Sequence, residues 1–254
     1  MSEFETKPGV KLPTPEDNRP KRFYKNVTVE ASEDSWLVLL DGRTVKSPAK
    51  NALTLPTKAA AELVAEEWAA QGERIDPPLM PATRMAFVTL DYMAMARVDT
   101  IAEVAKYAST DLLCFRAPEP DELIAAQAAA WDPLLDWADK ALGARLIAVT
   151  GVVPVDQDAM ALQAFFSYAE TLDNWKLTAT AHATAVCGSA VLGCALQIGE
   201  IDGDQAFALS TLDEAFQTAQ WGEDEDAAER SRLLREELVT VDRWLRALSA
   251  PEAG

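Results

Sequence analysis

His182 is the one histidine of the chain, so any Ser–His–acid triad would have to use it. It lies inside Thr178-Ala179-Thr180-Ala181-His182-Ala183-Thr184-Ala185, an alanine-rich helical run that offers no neighbouring nucleophile and orienting acid. His182 therefore reads as a packed, hydrogen-bonded residue. The cysteines, Cys114, Cys187 and Cys194, lack the C-x-x-C spacing of a zinc site. Their odd number, with no secretory leader in view, points to a reducing compartment. The chain has no phosphate-cradling Gly-x-x-x-x-Gly-Lys, no Gly-x-Gly-x-x-Gly and no Gly-x-Ser-x-Gly elbow. Its 41 acidic residues would permit a carboxylate-pair hydrolase, but no pair is marked out by spacing. We assign no catalytic residue, no metal ligand and no cofactor.

Two features rise above this background. Between Ile201 and Glu229 lie Asp202, Asp204, Asp213, Glu214, Glu223, Asp224, Glu225, Asp226 and Glu229, with no Lys or Arg among them. The densest part, Trp221-Gly222-Glu223-Asp224-Glu225-Asp226, falls between two expected helices. Acids at the start of a helix favour its macrodipole, which would use two or three of them. For the remainder the expectation is pairing with basic side chains of a partner. The second feature is tryptophan: Trp36, Trp68, Trp131, Trp137, Trp175, Trp221 and Trp244. Most should build core, and Trp221, beside the acidic turn, is the interface candidate. The candidate partner-binding residues are thus Trp221, Glu223, Asp224, Glu225 and Asp226.

The elements that must carry these residues follow from periodicity. Residues 1–20 are proline-containing and of mixed charge and read as a flexible arm. Arg22 to Val29 alternates like a strand, Trp36 to Leu40 is a second, and Asp41-Gly42 is a two-residue hairpin signal that returns a third over Arg43 to Ser47. Ala52 to Leu55 is a short fourth. Thr57 is placed to cap a helix that Gly72 stops. The run Asp76-Pro77-Pro78-Leu79-Met80-Pro81 excludes regular helix. Beyond it the pattern is helical: 82–95, 98–109, 119–142 ended by Gly143, 156–172, 175–198, 204–220 and 226–248. Strands first and helices afterwards give an α+β chain, with a β-rich N-terminal domain over 21–95 and a helical bundle over 96–250.

A net charge of −18 argues against nucleic acid and against anionic membrane surfaces as partners. No apolar run reaches the ~20 residues of a membrane span.

The order of short motifs resembles a known family. Arg22-Phe23-Tyr24-Lys25 precedes Leu40-Asp41-Gly42-Arg43, Ser47-Pro48 and Leu55-Pro56-Thr57. Glu66-Glu67-Trp68-x-x-Gln71 and Met80-Pro81-x-Thr83 follow. The helical half supplies Asp111-Leu112-Leu113-Cys114-Phe115-Arg116, Gln127-x-x-x-Trp131-Asp132-Pro133-Leu134, Gly151-x-x-Pro154-x-x-Gln157 and Trp221-Gly222-x-Asp224. Over about Lys21 to Leu248 the chain resembles the ATP synthase assembly factor 2 family. The resemblance implies a non-enzymatic chaperone that binds the free α subunit of the catalytic sector, shields its interface and hands it over to β. It also implies that the helical half is an orthogonal bundle; the expectation of a monomer comes from the sequence, where only the apolar stripe of the last helix could make a coiled coil and such a stripe packs inside a bundle. The chain departs from the family pattern at Asp226, where Glu is usual, and at Phe115, where Tyr is frequent. The start of the chain lacks a presequence, which suggests a bacterial cytoplasmic member; a processed mitochondrial matrix chain would look similar. The rival readings are a generic holdase, a permanent scaffold and a carboxylate-pair hydrolase.

Overall fold

The computed structural model describes residues 17–222 and 225–250. Glu223 and Asp224 of the acidic turn lie outside them. The described chain opens with β1 (Val27–Ser32), β2 (Ser35–Leu40), β3 (Arg43–Thr44) and β4 (Thr54–Leu55). All four form one antiparallel sheet in which β1 covers one edge of β2 while β3 and β4 share the other. Asp41 and Gly42 make the β2–β3 turn with φ of 49° and 78°, the left-handed pair that this hairpin type requires. The first strand begins later than its alternation suggests. Lys21 bridges to Arg74, and the backbone N–H of Arg22 donates to the Glu73 carbonyl. The Arg22 and Tyr24 side chains donate to the carbonyls of Ala69 and Trp68. Arg22 and Tyr24 thus cap the end of α1 (Lys58–Ala70), and the N–H groups of Lys25 and Asn26 donate to the Asp41 carboxylate, so none of this stretch pairs in the sheet before Val27.

Helix α1 starts at Thr57, whose hydroxyl accepts from the Ala60 N–H and donates to the Ala247 carbonyl. It ends at Gln71, one residue before Gly72. A 3-10 turn at Pro77–Leu79 leads to α2 (Pro81–Asp91) and α3 (Met93–Ser109). The break between these helices sits at Tyr92, not at residues 96–97. A second 3-10 turn (Leu112–Cys114) and β5 (Phe115–Arg116) precede α4 (Asp121–Leu142), which Gly143 ends in the left-handed region. Next come β6 (Val149–Thr150), parallel to β5, and α5 (Ala159–Thr171). The expected single helix over 175–198 is two: α6 (Asn174–Cys187) and α7 (Ala190–Ile198), parted by Gly188 at φ 64° and by Ser189, which caps α7. The stretch 204–220 is also divided, into α8 (Gly203–Ser210) and α9 (Leu212–Trp221), before α10 (Glu225–Leu248).

One cluster of buried side chains runs from Tyr24, Val38 and Leu55 through Trp131 and Leu192 to Trp244. A smaller one joins α3, α5 and α6 through Ile101, Val104, Leu172 and Leu177. Area removed from water at roughly 25 cal/mol per Å² makes such clusters the main source of stability. The chain is α+β with a helical C-terminal part. No helix among the described residues is long and apolar enough to cross a membrane.

Candidate partner-binding surface

Most residues of the sequence motifs turn out to fasten the fold. The Glu67 carboxylate on α1 accepts from the backbone N–H groups of Ala82 (2.7 Å) and Thr83 (2.8 Å) and from the Thr83 hydroxyl (2.7 Å). It thereby caps the N-terminus of α2, where Pro81 occupies the first turn. Burial pushes its pKa up while these donors pull it down. Gln71 bridges the Glu67 carbonyl and the Asp76 N–H. Gln127 accepts from the Ala117 N–H and donates to Asp213, while the Trp131 indole donates to the Leu209 carbonyl. Gln157 pairs with both backbone groups of Ile147 at 2.8 and 2.9 Å.

Asp111 is the most deeply placed of these groups. It is fully buried and accepts from the Ser189 hydroxyl at 2.7 Å, the Val191 N–H at 3.0 Å and the Leu113 N–H at 3.1 Å. Burial raises its pKa to about 6 against those donors. His182 is half-buried, its Nε2 lying 2.8 Å from Glu237 Oε1, and Arg84 pairs with the same carboxylate. The His182 contact is the leading cause that lowers the Glu237 pKa. Among the described residues no nucleophile bonds to His182, and the arrangement ties α2, α6 and α10 together. The three thiols are buried and free, and burial raises the pKa of each, against thiolate chemistry.

Trp221, Glu225 and Asp226 stand on one edge of the molecule. Trp221 ends α9 with 84% of its surface exposed, and Glu225 and Asp226 open α10 in solvent. Beside them a groove of about 880 Å³ runs between α9 and the first half of α10, with Phe207, Thr218, Arg230 and Leu234 among its walls. The acidic block is less uniform than its composition suggests. Asp202 closes a capping box with Gln205 on α8, Asp204 pairs with Arg235, Asp213 takes the Gln127 amide, and Glu229 pairs with Arg232. More of the acids are thus engaged inside the fold than helix capping alone would use, and Arg232 and Arg235 beyond the block supply the counter-charge.

Sequence reasoning missed a set of exposed apolar side chains. Tyr92 (56%), Met95 (85%) and Val98 (69%) project from the start of α3, next to Val88 on α2. Around β6, Ile147, Val152 and Val153 are also exposed, on the segments that the Gln157–Ile147 pair ties together, and Met160 is exposed in the first turn of α5. In α3 these positions belong to a second apolar stripe beside the buried one of Met93, Ile101 and Val104. Periodicity detects both stripes and cannot say which is covered.

The model of the ATP12 chaperone protein family matches residues 21–139. The chain is also 39% identical to Atp12 from Paracoccus denitrificans, whose crystal structure superposes with a TM-score of 0.81 over 90% of this chain and 98% of that one. The chain belongs to the ATP12 chaperone family. A solved protein of Agrobacterium tumefaciens is similar at 40% identity and TM-score 0.83, over 90% of this chain and 86% of that one. The mitochondrial protein atp12 of Schizosaccharomyces pombe shares 25% identity over 238 residues, covering 89% of this chain and 81% of its own. Within the ATP12 family fold, Glu67, Gln71, Asp111, Gln127, Trp131 and Gln157 are joints, while Phe23, Val152, Val153 and Trp221 of the same motifs are exposed.

Proposed function

We propose that this chain is an assembly chaperone that binds the unassembled α subunit of the ATP synthase catalytic sector. It shields the subunit face that would otherwise aggregate and hands the subunit over to β. The observation that carries this reading is a well-packed fold that leaves large apolar side chains such as Trp221, Met95 and Val152 in water, while Glu67, Asp111, Gln127 and His182 are taken up in internal hydrogen bonds. Such surface is the mark of a protein that covers another. A holder of this kind stabilises its client by mass action and needs neither turnover nor a cofactor. It acts as a monomer, in the bacterial cytoplasm or, for a eukaryotic chain, the mitochondrial matrix. Trp221, Glu223, Asp224, Glu225 and Asp226 form the part of the surface that meets basic groups of the client, with the acids giving steering and register.

Co-expression with separate α and β subunits, followed by capture on this chain, tests the reading. Selective recovery of α is expected. Recovery of β alone, or of neither, sinks it; many unrelated polypeptides would mark a general holdase, and finished ATP synthase a scaffold. Reversing Glu225→Lys and Asp226→Lys together should weaken α capture about tenfold at low salt and less at high salt, where screening already blunts these charges. Trp221→Ala should cost about 2 kcal/mol of binding, as for an aromatic anchor. Trp221→Ala changes an exposed position and should leave the melting temperature unchanged, whereas the double reversal at the first turn of α10 should lower it by a few degrees at most through the helix dipole.

A further inference from the structure

We infer that the groove between α9 and the first half of α10 receives a helix of the client, one with an apolar face and basic side chains along its flank. The client rests on the assembly reading above; what is added is the form of the segment that docks and the place that takes it. Among the described residues α9 has no buried side chain, and α10 has none before Leu238. Helix α9 rests on α4, and α10 on α8, α6 and α1, with little packing of α9 against α10. The two helices nevertheless turn matching stripes to the space between them. Glu214, Thr218 and Trp221 on α9 line it at steps of four and three, as do Ala227, Ser231 and Leu234 on α10. Residues at such spacing share one face of a helix. Two facing stripes held apart leave room for a third helix, which would bury both.

The form of the occupant follows from the walls. Both are built of side chains on helices whose backbone groups are bonded within each helix. An extended segment would bring N–H and C=O groups that find no backbone partner there, whereas a helix satisfies its own. The charge of the occupant follows from the carboxylates. Glu214 lines the groove near the start of α9, Glu225 and Asp226 open α10 at the other end, and all three are exposed. Among the described residues none of the three has a counter-ion, whereas Arg235 holds Asp204 and Arg232 holds Glu229 and Glu236. Arg230 also lines the groove. Three carboxylates against one guanidinium favour lysine or arginine on the incoming flank. Glu214 and Trp221 stand two helical turns apart, about 10 Å, so bases two turns apart on the client helix face acids at both ends. A second copy of this chain is opposed by its charge of −18.

The test uses the full chain, the α subunit and a synthetic Leu/Ala/Lys peptide of about 18 residues with one apolar face, or five helical turns. A Leu/Ala/Glu peptide of the same pattern is the counterpart. Ala215→Arg combined with Ala219→Arg places two cations at exposed groove positions one turn apart on α9. The double variant should lower capture of α and affinity for the Lys peptide by about tenfold without moving the melting temperature. Glu214→Gln should weaken Lys-peptide binding about threefold at low salt and little at high salt. On mixing with the parent the Lys peptide should gain helix, read as circular dichroism beyond the sum of the parts, and the Glu peptide should not bind. Met160→Glu, on α5, should leave the Lys-peptide affinity unchanged. Undiminished capture of α by the double variant overturns the groove while the assembly reading stands. Equal binding of the Glu peptide overturns it as well, and so does binding of the Lys peptide with no gain of helix. A dimer of the parent that the double variant abolishes also overturns it, because a second copy would then be the occupant. Should the parent capture no α, the assembly reading fails on its own. The Lys peptide then decides the groove: bound by the parent and lost by the double variant upholds it, and not bound overturns it.

Discussion

Asp111→Ala is expected to lower the stability of the fold by about 3–5 kcal/mol, read by urea denaturation. The change deletes a fully buried carboxylate and leaves the Ser189 hydroxyl and the N–H groups of Val191 and Leu113 unmatched in the interior. Each such loss costs about 1–3 kcal/mol. The same residue gives a pH signature. Its folded pKa, raised to about 6 from 3.8, means that the folded chain binds more protons than the unfolded one between those values. Stability contributed by the protonated form is therefore complete below pH 4 and is lost as pH rises to about 6. Asp111→Asn cannot titrate. The parent's stability relative to that variant should fall by on the order of 3 kcal/mol from pH 4 to pH 7, at about 1.4 kcal/mol per pKa unit. A flat difference over this range would show that the carboxylate stays ionised in the interior.

The second large effect is expected at Gly203, the first residue of α8. A Cβ there would meet the Val239 Cα at 2.6 Å and the Leu238 carbonyl oxygen at 2.7 Å, both backbone atoms of α10. Backbone cannot swing aside as a long side chain can, so Gly203→Ala must drive α8 and α10 apart. Overpacking of this kind costs about 1–3 kcal/mol, and the upper end applies where two helices must separate. For a chain of this size the melting temperature should fall by roughly 5–10 °C. Gly72→Ala is the matching control. Its Cβ would meet nothing within 4 Å, and its backbone is not left-handed, so little change is expected.

How far the fold was legible depends on where the deciding contact lay in the chain. Asp41-Gly42, Thr57 and Gly143 act through local backbone geometry, and each does what its type and position imply. The strand expected from Arg22 begins only at Val27 because the backbone N–H groups of Arg22, Lys25 and Asn26 are claimed by the Glu73 carbonyl and the Asp41 carboxylate, and alternation carries no record of such rivals. The division at Gly188-Ser189 did have a local signal, a left-handed glycine followed by an N-cap serine. An alanine-rich helical rhythm on both sides masked it. The division at Thr211 had none, since its side chain makes no cap.

The candidate surface follows the same logic. Trp221 and the acids after it were conspicuous by composition, and Trp221, Glu225 and Asp226 are indeed exposed. The partners of Asp204, Asp213 and Glu229 could not be read from a stretch that contains no base, because Arg235, Gln127 and Arg232 come from outside it. Val88 and Tyr92 were invisible for the opposite reason: an apolar residue at helical spacing reads as core until the coordinates show it in water.

The three hydrogen bonds from Glu67 to the start of α2 make one side chain answer for two backbone donors and a hydroxyl. Shortening it to Asp would draw the carboxylate back from a helix end that begins at Pro81, so even a change that keeps the charge should loosen the junction of α1 with α2. Reach as well as charge is what this position demands.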